Sequence, residues 1–348
     1  MNGKRILLNA GIVFLAGFTI MAFNSVVIAQ DTVKKPSTVA KPPSPATKDA
    51  ASISKQSTIV RPSAKENVKK GDNPKKQFSK EQGSGIPFQS KKPATPDELK
   101  ANELFNSGSR RHQEGDYQGA INDFTKSLDL YKNGNTYTKR ALTYFAMDKY
   151  SPALEDLNEA VKLLPSDAKV YFIRGVCYYE MTELDSAQTD LLKSIELDST
   201  NTSAYTYVAA VKYMQEDFLG ALEYYSKVIK IDSTNKKAYT NRGMLRHYMK
   251  DYKGAVEDYD KALKLDPYNP TAYNNRGATK LTLQDYSAAL ADFDAAVKLK
   301  DDYADAYGNR GKARFNMKDK TGACEDWQKA YSLGLGNAMD LIVKYCQQ

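Results

Sequence analysis

The sequence predicts an all-α protein, a solenoid of stacked helical hairpins, and three observations carry that prediction. From Ala101 to about residue 335 the chain repeats itself every 33 or 34 residues, seven times, around an alanine that follows a turn: Ala120, Ala153, Ala187, Ala221, Ala255, Ala289 and Ala323. A tyrosine-led stretch precedes that alanine, clearest in Tyr239-Thr-Asn-Arg-Gly243, Tyr273-Asn-Asn-Arg-Gly277 and Tyr307-Gly-Asn-Arg-Gly311. Within each period the apolar residues recur at spacings of three and four, which is helical rather than extended. A fixed period of this length marks stacked units, each too small to bury its own apolar face without a neighbour.

Ahead of the repeats lie two segments of different character. Residues 1–29 start with Lys4 and Arg5, continue as a largely apolar run of 24 residues between Arg5 and Gln30, and end Val27-Ile-Ala29. A basic start, an apolar core and small residues at a cut site describe a secretory signal peptide cleaved after Ala29. The same run, interrupted by Asn9, Thr19, Asn24 and Ser25, is long enough to span a bilayer as an uncleaved anchor through residues 6–29. Either reading exports residues 30–348, to a periplasm or the cell envelope. Residues 30–96 hold no periodic apolar pattern and are rich in Lys, Pro, Ser and Thr, so a disordered basic linker is expected there.

Charge separates linker from repeats. Residues 31–96 carry fourteen Lys or Arg against five Asp or Glu, a balance of +9. The leader contributes +2 and the whole chain is +8, so residues 97–348 come to −3. The linker therefore reads as a soluble tether, open to weak contact with anionic envelope surfaces. The repeats lack the basic face that nucleic-acid binding requires, and no nucleic-acid partner is expected.

The repeat domain is set at 97–348, opened by Thr95-Pro-Asp-Glu98, a capping box with Pro at the first helical position. Residues 236–269 illustrate one unit. Ala238, Tyr239, Gly243 and Leu245 form the first helical stripe, Lys250-Asp-Tyr-Lys-Gly254 turns, and Ala255, Tyr259, Ala262, Leu263 and Leu265 form the second. Pro267 cannot continue a helix and ends the unit. After Trp327 and Ala330 the phase changes at Leu333-Gly-Leu-Gly-Asn337. Ala338, Leu341, Ile342 and Tyr345 then make a cap helix over 337–348, with Asp340, Lys344 and Gln348 outside it.

The marks Tyr239, Gly243, Ala255, Tyr259, Ala262 and Pro267, and again Tyr273, Gly277, Ala289, Phe293 and Ala296, resemble the tetratricopeptide repeat. The likeness covers about two-thirds of the chain. It implies a right-handed superhelix of about seven repeats whose first helices line a concave groove. Carried onto this sequence, the groove positions include Phe145, Phe172, Val176, Tyr179, Tyr213, Met214, Met244, His247, Tyr248, Asn275 and Asn309. One branch of the family binds chaperone C-termini through a clamp of Lys and Asn. Over repeats five to seven those positions hold Thr240, Met244, Asn275, Asp305 and Asn309; only Asn275 matches and Asp305 has the wrong sign.

No catalytic constellation is legible. The two histidines, His112 and His247, stand far apart in sequence, and no HExxH, CxxC, phosphate loop or nucleophile elbow is present. Neither metal nor cofactor is expected. One charged pairing recurs: Arg140, Arg174, Arg242, Arg276 and Arg310 are each followed sixteen residues later by Asp156, Asp190, Asp258, Asp292 and Asp326. The fourth repeat has Val208 and Tyr224 instead, losing both members together, while the first keeps Asp123 but has Ser107. A partly buried ion pair joining the two helices of a unit explains this, because one charge alone is costlier than neither. Cys177 reads as a core residue, and a Cys324–Cys346 disulfide is compatible with export. The expected function is a non-catalytic scaffold that binds a peptide segment or helix of another protein. The alternative is a structural, self-associating envelope protein tethered by its linker.

Overall fold

The computed structural model describes residues 95–347; the leader and nearly all of the linker lie outside them. Among the described residues the chain forms fifteen helices and no strand. They come as successive pairs: α1 (Pro96–Glu114) and α2 (Tyr117–Leu130), α3 (Gly134–Ala146) and α4 (Tyr150–Leu163), α5 (Ala168–Glu180) and α6 (Leu184–Leu197), α7 (Thr202–Met214) and α8 (Phe218–Ile231). Then follow α9 (Lys236–Tyr248) and α10 (Tyr252–Leu265), α11 (Pro270–Thr282) and α12 (Tyr286–Leu299), α13 (Ala304–Asn316) and α14 (Lys320–Ser332), and the single helix α15 (Ala338–Tyr345).

Residues 95–279 form one compact unit and 280–347 another, the division falling within α11. In the first unit α1 packs on α2, α3 on α4, α5 on α6, α7 on α8 and α9 on α10, while the second helix of each of the first four hairpins also packs on the first helix of the next. In the other unit α13 packs on α14, with α12 and α15 against them.

Local chemistry explains why the chain reverses where it does. Between the helices of a pair, one residue takes the left-handed conformation: Gly115 in the first hairpin, then Asp148, Thr182, Glu216, Lys250, Gln284 and Lys318. Directly before α2, α8, α10, α12 and α14 an aspartate caps the helix. Asp116, Asp217, Asp251, Asp285 and Asp319 accept from the backbone N–H three residues on. The repeated alanines, 0% exposed at Ala120, Ala153, Ala187, Ala221, Ala255, Ala289 and Ala323, let paired helices approach closely. At Gly311 the approach is closer still: a Cβ would stand 2.5 Å from the indole nitrogen of Trp327, which instead donates to the Gly308 carbonyl at 3.2 Å.

The C-terminal cap is built on aromatic stacking. Tyr345 of α15 lies 4.6 Å from Phe315 and 5.9 Å from Trp327, ring centre to ring centre. Its outward side is less polar than the stripe Ala338, Leu341, Ile342, Tyr345 suggests, since Met339 and Val343 are 41% and 50% exposed. They form the adjacent row four residues apart, which the apolar stripe does not include. No described helix is long and apolar enough to cross a membrane.

Candidate protein-interaction surface

The eleven expected groove residues separate into two populations. Val176, Tyr179 and Tyr213 are core, not surface, at 1%, 6% and 6% exposed. Val176 and Tyr179 pack with Ala187, Leu191, Tyr207, Val208 and Val211, and Tyr213 with Ala209, Ala221, Tyr225 and Leu245. The correction has a steric cause. These positions lie where one first helix meets the next, so a ring there is covered by its neighbour, as Tyr179 is by Tyr207 at 5.4 Å. Phe145, Phe172, Met214, Met244, His247, Asn275 and Asn309 are half-buried, and Tyr248 is exposed. Tyr248 is nevertheless fixed, stacked 4.8 Å from Phe218.

His247 belongs to a motif used twice. Its Nδ1 lies 2.9 Å from Thr279 Oγ1, and its ring lies 5.3 Å from Tyr252. His112 repeats this, 3.0 Å from Thr143 Oγ1 and 5.4 Å from Tyr117. Each threonine spends its hydroxyl proton on the carbonyl four residues back, Thr143 on Lys139 and Thr279 on Asn275, both at 2.8 Å. The imidazole must therefore donate from Nδ1 to an oxygen that has only lone pairs left to offer. Burial pushes both histidines below their ordinary pKa, and nearby Lys139 adds to the effect at His112. The neutral ring is the form that fits.

The recurrent Arg and Asp side chains do more than close a hairpin. Arg140 grips Asp156 with two donors at 2.8 and 2.7 Å, and Arg174 grips Asp190 at 2.6 and 2.8 Å. Arg242 grips Asp258 at 2.9 and 2.6 Å, and Arg310 reaches Asp326 at 2.6 Å. A further donor of each arginine turns to the second helix of the preceding hairpin: Thr125 for Arg140, Asn158 for Arg174, Ser226 for Arg242, Asp260 for Arg276, Asp294 for Arg310. Second cations join in, Arg246 on Asp258 at 3.0 Å, Lys280 on Asp292 at 2.8 Å and Arg314 on Asp326 at 3.1 Å. The five arginines also lie 5.1 to 5.9 Å from the rings of Tyr137, Tyr171, Tyr239, Tyr273 and Tyr307. These carboxylates are saturated by cations, an arrangement that locks helices and leaves no lone acid or base. Among the described residues no three His, Cys, Asp or Glu are grouped to hold a metal ion.

Cys324 and Cys346 are joined in a disulfide that ties α15 to α14, with 5.7 Å between their Cα atoms. Cys177 is a buried free thiol whose pKa burial raises to about 12.

With this geometry in view, the comparisons are direct. Models of the tetratricopeptide repeat match residues 237–269, 138–202 and 274–334. Heat shock protein STI1 of Saccharomyces cerevisiae is 37% identical over 75 residues, which are 21% of this chain and 13% of that protein. The small glutamine-rich tetratricopeptide repeat-containing protein of Dictyostelium discoideum is 36% identical over 73 residues, 20% of this chain and 22% of its own length. The match thus spans less than a quarter of either relative. Among solved structures, the C-terminal part of a tetratricopeptide repeat-containing protein from Cytophaga hutchinsonii superposes with a TM-score of 0.58 at 20% identity, covering 68% of this chain and 98% of that one. That likeness is one of fold. Helix pairing, small residues at the crossings and these matches agree: residues 138–202, 237–269 and 274–334 are tetratricopeptide repeats.

Proposed function

We propose that the protein is a non-catalytic scaffold outside the cytoplasm, holding a peptide segment or helix of another protein along its first helices. Tetratricopeptide repeats generally mediate protein–protein interaction. The observation that carries the finer reading is the set Phe145, Phe172, Met214, Met244 and Tyr248, apolar or aromatic and only partly covered by the fold. Such side chains add contact area at low entropic cost, and sulfur and ring faces adapt to varied partners. Export is supported by the leader and by the Cys324–Cys346 bond, since disulfides persist in oxidising compartments. The basic linker serves as the tether.

The test is crosslinked capture from an envelope extract with the full chain, beside a Phe172→Ala/Met244→Ala/Tyr248→Ala variant matched in melting temperature. A protein captured by the first and lost from the second supports the reading and identifies the partner. Equal capture by both moves the interface elsewhere. Capture of the chain by itself alone favours the self-associating alternative, for which the exposed Met339 and Val343 on α15 are the observation.

A further inference from the structure

Where the repeats end, a cavity of about 100 Å³ lies between α13 and the segment that leads into α15. Asp305, Asn309 and Lys312 line it from α13, and Asn337 and Asp340 from the other side. Leu335 backs it, seated over Gly308, where a Cβ would come within 2.6 Å of the leucine. The Cys324–Cys346 bond anchors α15, so this wall is held covalently.

One polar atom of this cavity is left without a partner. Oδ1 of Asp305 is shut off from solvent and accepts no hydrogen bond among the described residues. Such an oxygen costs free energy that a donor would return. The carboxylate torsion of an aspartate is soft, so a small rotation presents that oxygen to the cavity. Burial raises the Asp305 pKa, with the Lys312 charge opposing, and lowers that of Lys312, with Asp305 opposing. Asp305 and Asp340 also stand in the first turns of α13 and α15. The lining thus sets two carboxylates against one ammonium, with two carboxamide oxygens beside them.

We propose that this cavity binds a primary ammonium group, the lysine side chain of a bound polypeptide, with Asp305 as its main acceptor and Asp340 at the rim. An ammonium brings three donors, and two carboxylates with the Asn337 carboxamide offer the matching acceptors. Lys312 repels the incoming charge and limits affinity. The site lies wholly within residues 280–347 and is independent of the aromatic set proposed above.

The probe is a capped pentapeptide, Gly-Ser-Lys-Ser-Gly, compared with versions carrying norleucine or glutamate at the centre. Each is titrated into the full chain while the amide resonances of Asn309, Asn337 and Asp340 are followed. The lysine peptide should move them and the norleucine peptide should not. Asp305→Asn should weaken binding about tenfold, as loss of one charge-assisted hydrogen bond does. Lys312→Met should tighten it, a gain that misfolding cannot mimic. Preference for the glutamate peptide, loss of binding in Lys312→Met, or indifference to Asp305→Asn in a folded variant would each overturn the proposal.

Discussion

The fourth and fifth hairpins share a backbone plan and differ in what holds it. In α7, eight of thirteen residues are buried, and the run Tyr207 to Val211 is at most 2% exposed. Val208 stands where five other repeats have arginine, and Tyr224 where those five have aspartate. In α9 five residues are buried, and Arg242 and Arg246 converge on Asp258, whose side chain is 3% exposed. Either solution serves one fold. The lesson is that no carboxylate is left alone: the fourth hairpin loses both members and needs no partner, and the first, which keeps Asp123 opposite Ser107, supplies Ser107 at 2.7 Å and Arg111 at 3.0 Å in place of the missing arginine.

That comparison can be broken experimentally, most forcefully at Asp258. Asp258→Ala strands two arginines and should cost about 3–5 kcal/mol, read by denaturant unfolding. Asp258→Asn, which keeps an acceptor, should cost noticeably less, and equal losses would refute the buried-pair account. Installing the fourth hairpin's solution, Arg242→Val with Asp258→Tyr, should be milder than Asp258→Ala alone.

Next in size is the covalent counterpart of these clamps. Removing the disulfide by Cys324→Ser/Cys346→Ser opens a link across 22 residues. The loss should be about 3 kcal/mol, seen as faster amide exchange in α15 ahead of the other helices.

Acid sharpens the contrast at the two histidine contacts. Their folded pKa is depressed by burial, so the unfolded chain takes up protons first as pH falls. Stability from this source is present above the ordinary value of 6.5 and declines as pH drops below it. Replacing both His112 and His247 by Gln should flatten the melting temperature across that range.

The smallest effect is at the turns. Thr182, β-branched at φ 62°, holds a conformation that glycine adopts freely, as Gly115 does in the first hairpin. Thr182→Gly should stabilise by about 0.5–1 kcal/mol by melting temperature, a relief of strain offset partly by chain entropy.

The hairpins were legible because packing of small residues every 33 or 34 positions leaves a mark at every unit. The Arg–Asp spacing of sixteen was legible for the same reason. The reach of each arginine to the preceding hairpin was not, because its partner changes from Thr125 to Asn158, Ser226, Asp260 and Asp294, sharing only a short polar side chain. Tyr179 and Tyr213 misled for a different reason. A tyrosine suits a core and a binding face equally, and the sequence pattern does not say which neighbour covers it. The cavity beside Asp305 left no trace either, since it depends on how α15 closes over α13.

The inter-hairpin arms of the arginines have one more consequence. Two of them end on aspartates that are half in solvent, Asp260 and Asp294, with 55% and 51% of the side chain exposed. Attraction between such charges fades as ions accumulate, whereas the apolar seam of α6 against α7, around Leu191, Tyr207 and Val208, is indifferent to them. Ionic strength therefore acts unevenly along the repeats. A saline medium loosens the ties at Asp260 and Asp294 while the middle of the chain keeps its grip.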